Sequence, residues 1–134
     1  MDPLDLTGAW FGRYFYPPVL AQPPVSFWAA IVETEGRIEG TTSEPNTIGH
    51  SSDLLGAILH GLREGRQVSF TKAYDGASDA AHAVEYQGEL DASGELLTGS
   101  WRVGGLSGAF EMRRTHAPDA AEAQDAREEL AAQA

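Results

Sequence analysis

The chain has 134 residues, no cysteine, and a formal net charge of −11 from 20 acidic and 9 basic side chains. The length sets one domain with one core, and the missing cysteines exclude a disulfide framework or a thiolate metal site. The acidic balance repels a phosphate backbone and so excludes nucleic acid as a partner.

No stretch approaches the ~20 apolar residues of a membrane-spanning helix. Residues 2–9 carry neither a basic region nor a long apolar run, so no secretory signal is expected and the cytoplasm is the expected compartment.

The first element is a strand over Leu6–Tyr16, where Trp10, Tyr14 and Tyr16 fall on alternate positions with Gly12 between them. A period of two belongs to a strand with one buried face. Pro17-Pro18 stops this strand and Pro23-Pro24 stiffens the following loop. A second strand, Val25–Glu35, sets Phe27, Ala29 and Ile31 against Trp28, Ala30 and Val32, so both of its faces are apolar. Its outer face is then expected to meet the tail or another subunit.

Glu35-Gly36 turns the chain into a short third strand, Arg37–Glu44, which ends at Pro45-Asn46. Thr47–Ser52 reads as a polar loop. Asp53–Leu62 reads either as a helix capped by Asp53 or as a strand. Its two internal glycines disfavour the helix by about 1 kcal/mol each, and Leu55, Ala57 and Leu59 fit a strand face.

Four further strands follow: Gln67–Tyr74, His82–Asp91, Glu95–Val103 and Leu106–Thr115. They are separated by a polar loop at Asp75–Ala81 and by turns at Asp91–Gly94 and Gly104-Gly105. Eight strands at short, regular spacing and joined mostly by hairpin turns predict an all-β, eight-stranded antiparallel up-and-down barrel. Glycines recurring inside the strands supply the curvature that closes a narrow barrel.

The barrel domain is expected over residues 1–116. An acidic, Ala-rich tail, helical or disordered, is expected over 117–134.

Gly8-x-Trp10 on the first strand, with Arg113 or Arg114 on the last, resembles the calycin superfamily of lipocalins, fatty-acid-binding proteins and avidins. The resemblance implies that a basic residue of the last strand packs across the Trp10 ring. Arg114 shares a face with Phe110 and Met112 and is the expected partner. The resemblance covers residues 6–115 in pattern. It departs from fatty-acid-binding proteins in lacking a helix pair after the first strand, and its tryptophans do not map onto a biotin pocket.

Lys72 lies on the same strand face as Val68, Phe70 and Tyr74, nominally inward. A buried lysine must pair or lose its charge, which reads as an anchor for an anionic ligand or as a nucleophilic amine, with Glu44 and Glu33 as candidate partners. The bland alternative is a lysine near a strand end whose stem reaches water. Tyr14, Tyr16, Tyr74 and Tyr86 also fall on inner faces, and Trp101 points inward beside Gly99. These residues read either as a filled core or as a polar-aromatic pocket.

The four histidines (His50, His60, His82, His116) lack metal-ligand spacing, so no metal and no cofactor are expected. The leading functional expectation is binding of a small aromatic or anionic molecule by Tyr14, Lys72, Tyr74, Tyr86 and Trp101. The alternatives are a small barrel enzyme (an isomerase, cyclase or hydrolase) using Lys72 and a tyrosine as acid–base pair, and an oligomerising module. In the last, Phe11, Phe15 and Trp28 would form a homodimer contact.

Overall fold

The computed structural model describes residues 4–45, 54–74 and 83–115, for 45, 54 and 55 the backbone alone. The expected loops at 47–52 and 75–81, the tail 117–134, and His50, His82 and His116 lie outside the described residues.

Eight strands run in chain order: β1 (Gly8–Phe15), β2 (Val25–Thr34), β3 (Arg37–Pro45), β4 (Leu54–Glu64), β5 (Gln67–Tyr74), β6 (Ala83–Leu90), β7 (Leu96–Val103) and β8 (Leu106–Arg114). Each pairs antiparallel with the next, and β8 pairs with β1 to close the barrel. The ambiguous segment is a strand. Its backbone bonds both β3 and β5, with Ala57 and Leu59 buried and Ile58 and His60 exposed. The proline loop holds one 3-10 turn, Pro18–Leu20, which the sequence reading did not anticipate. Proline fixes the φ that such a turn needs at its start. Among the described residues no helix is long and apolar enough to cross a membrane.

Alternation decides what fills the interior. Trp10, Tyr14, Phe27, Ala29, Ile31, Ile38, Leu59, Val68, Phe70, Tyr86, Leu90, Leu97, Trp101, Phe110 and Met112 are all buried, with Leu6 closing one end. The end at which β1 begins, here called lower, is tied together by polar contacts. Arg63 forms a paired contact with Glu33, at 2.6 and 2.7 Å, and Glu33 Oε1 also accepts from the Leu6 N–H at 3.0 Å. Trp10 Nε1 donates to the Leu6 carbonyl at 2.9 Å.

Tight turns join the strands at the lower end, with Glu35 and Gly36 at φ 52° and 84°. At the Asp91 turn, hydrogen bonds from the Ser93 hydroxyl and from backbone N–H groups hold the Asp91 carboxyl below the usual range. At the opposite, upper end β1, β3, β5 and β7 finish and β2, β4, β6 and β8 begin.

The seam between first and last strands is a stacked cation. The Arg114 guanidinium lies 4.5 Å from the Trp10 ring centroid. It donates to the carbonyls of Asp5 at 2.7 Å, Thr7 at 3.1 Å and Gly94 at 3.2 Å. Neighbouring Arg113 faces solvent, as strand alternation requires.

Candidate functional site

Five strands deliver side chains bearing polar atoms to the upper half of the interior. Inward alternation carries Tyr14 on β1, Thr42 and Glu44 on β3, Lys72 and Tyr74 on β5, Tyr86 on β6 and Trp101 on β7. Antiparallel register aligns Lys72 with Leu59 and Val84, and Tyr86 with Phe70 and Trp101.

Glu44 is the hub. It is 3% exposed and accepts from the Tyr14 hydroxyl at 2.6 Å, the Tyr74 hydroxyl at 2.9 Å and Lys72 Nζ at 3.4 Å. Lys72 is fully buried. Its Nζ lies 4.6 Å from the Tyr14 ring centroid, 4.9 Å from Phe27, and 5.1 Å from each of Tyr74 and Tyr86.

Two effects oppose each other at Lys72. Removing an ion from water costs several kcal/mol even after relaxation, whereas a desolvated cation–π contact returns about 2 kcal/mol. The carboxylate is the stronger compensation, but at 3.4 Å its contact with the amine is the longest of its three. Burial prevails and lowers the Lys72 pKa from its ordinary value, with Glu44 acting in the other direction. Burial, and then the Glu44 charge, raises the pKa of Tyr14 and of Tyr74. Burial does the same for Tyr86. These tyrosines therefore stay protonated as hydrogen-bond donors at neutral pH.

Tyr14, Lys72 and Tyr74 meet at Glu44, and Tyr86 presents its ring to the same amine. Trp101 touches this group at its edge. Its ring packs 6.2 Å from Tyr14 and 5.9 Å from Tyr16, and its Nε1 donates to the Phe15 carbonyl at 3.0 Å. Tyr86 also stacks on Phe70 at 4.7 Å and meets Phe110 edge-on at 4.9 Å. Side chains thus occupy the interior, which an eight-stranded barrel has the dimensions to fill. A concavity of about 740 Å³ opens instead on the outer wall, where His60 lies opposite Glu39, with Thr71, Glu85 and Arg102 alongside.

One expected partnership is corrected: Glu33 does not approach Lys72. It pairs with Arg63 at the lower end, because β2 runs downward and delivers its late residues there, whereas β3 and β5 both finish at the upper end.

Sequence reasoning treated Glu44 only as a possible partner and missed Thr42 altogether. Thr42 is 4% exposed, and its Oγ1 has no hydrogen-bond partner among the described residues. The signal was an inner face reading Ile38, Gly40, Thr42, Glu44, in which polarity rises toward one end. On the outer wall, Phe11 and Trp28 pack on each other at 4.6 Å, while Val32, Ile58 and Leu62 are exposed.

Among the described residues no group of three or more metal-ligating side chains is placed to hold a metal. Family models, curated proteins and solved structures give no match to this chain, so its functional reading rests on its own geometry.

Proposed function

We propose that the protein is a calycin-like barrel that binds a small aromatic or anionic molecule at its upper end. The contacts are Tyr14, Lys72, Tyr74, Tyr86 and Trp101, with Glu44 orienting the donors. The observation that carries this reading is the concentration of buried polarity. Three donors converge on one carboxylate within an otherwise apolar interior, and a fourth donor, the Thr42 hydroxyl, has no partner among the described residues.

A filled, purely structural interior gains nothing from such groups, since apolar residues of equal volume are often as stabilising as a buried ion pair. A binding site needs them, because a few placed polar groups fix a ligand's orientation among aromatic walls. The calycin-like assignment draws support from the Arg114–Trp10 seam.

Because side chains occupy the interior, the ligand enters from above, and Tyr16 and Tyr74, both half-buried there, adjust to admit it. The test is titration with benzoate, phenylacetate and benzamide, read by tryptophan fluorescence. A Trp101→Phe variant separates the Trp101 signal from those of Trp10 and Trp28. Saturable quenching that vanishes in the variant supports the proposal. Unchanged fluorescence and unchanged melting temperature with all three compounds overturn it.

A further inference from the structure

Lys72 is the single lysine of the chain, and the other eight basic side chains are all arginine. Arginine is the better partner for a buried carboxylate, because its planar fork offers several donors. Lysine is the residue whose charge yields to burial, leaving a free amine. The chain therefore carries an amine at the one position where burial acts most strongly on it.

Burial opposes the charge on Lys72, while the Glu44 carboxylate and the ring faces around Nζ act in the other direction. Among the described residues, Lys72 Nζ is fully buried and makes one long hydrogen bond, 3.4 Å to Glu44. The closer contacts of that carboxylate belong to Tyr14 and Tyr74. The ionisable groups facing Nζ are Glu44, Tyr14, Tyr74 and Tyr86, and Phe27 completes the enclosure.

We propose that Lys72 is a nucleophilic amine that captures a small aldehyde or ketone as a covalent imine at the upper end of the barrel. This inference rests on the small-molecule reading above and names the functional group the ligand carries. In the step, the Nζ lone pair adds to the carbonyl carbon, forming the C–N bond and opening the C=O π bond. The oxygen gains a proton as the nitrogen loses one, giving a carbinolamine.

The hydroxyl then leaves as water on protonation, the nitrogen lone pair forms C=N, and the second N–H proton is released. Amine and carbonyl thus give imine and water with no oxidant or reductant. Glu44, held by two tyrosine hydroxyls, is the group in reach of Nζ that can take up and return protons. The rings around Nζ select flat, conjugated carbonyl compounds.

The experiment incubates the full chain with benzaldehyde and sodium cyanoborohydride and maps benzylated sites by mass spectrometry. The chain's α-amino group serves as the internal comparison. The expected result is one benzyl group on Lys72 of the folded protein, lost in Lys72→Arg. A label confined to the α-amino group, with Lys72 modified only after denaturation, overturns the proposal. If Lys72 stays unlabelled while benzoate still quenches Trp101, the imine falls and the binding reading stands. If Lys72 is unlabelled and none of the titrated compounds binds, both fall.

Discussion

Replacing Arg114 by alanine tests how the barrel is held shut. Its guanidinium donates to three backbone carbonyls, of Asp5, Thr7 and Gly94, and stacks on Trp10. The side chain keeps 16% of its exposure, so water can replace part of what is lost. Each hydrogen bond then contributes about 1 kcal/mol, and the ring contact about 1 kcal/mol more. The Arg114→Ala loss is therefore about 4 kcal/mol by urea denaturation, or roughly 15 °C in melting temperature for a barrel of this size.

Arg114→Lys keeps the charge and loses the fork, for about 2 kcal/mol. Arg113→Ala, on the solvent face, changes stability by less than about 0.5 kcal/mol. If Arg114→Ala costs no more than Arg113→Ala, closure does not depend on this seam and the reasoning fails.

Two further outcomes follow from the interior. Burial lowers the Lys72 pKa from 10.5, so between the lowered value and about pH 10 the unfolded chain binds the extra proton and stability rises with pH. The slope reaches about 1.4 kcal/mol per pH unit at most, and Lys72→Met removes it. Parallel stability–pH profiles for the two proteins below about pH 10 would show that burial leaves this amine unperturbed. Above about pH 10 both proteins lose stability, because the raised tyrosines must stay protonated when folded while the unfolded ones ionise.

Gly108→Ala places a Cβ against the Phe15 carbonyl and the Trp101 indole nitrogen, the two partners of a hydrogen bond across the seam. The expected loss is about 1–3 kcal/mol, together with a change in tryptophan emission. Gly105→Ala, with open space around the added atom, is the control, and equal stability of the two variants would refute the steric reading.

Much of this protein is written in its period of two. Alternation of Val68, Phe70 and Lys72 against Ser69 and Thr71 fixed β5 and its inward face. The regular spacing of turns fixed the antiparallel meander. Arg114 could be chosen over Arg113 because they fall on opposite faces of one strand. Strand direction was also implicit. In a meander, late residues of odd-numbered strands share an end, which brings Glu44 to Lys72 and takes Glu33 away from it.

The tertiary structure alone decided how the inward groups meet across the barrel. That depends on strand tilt, stagger and side-chain rotamers, and no local pattern encodes them. It set the Tyr14 and Tyr74 hydroxyls on Glu44 rather than on solvent, left the Thr42 hydroxyl without a partner among the described residues, and packed Tyr86 against Phe70 and Phe110. Periodicity determines which face a side chain occupies. Only closure of the sheet determines which side chains, far apart in sequence, share one small volume, and hence that the single lysine is enclosed by rings and a carboxylate.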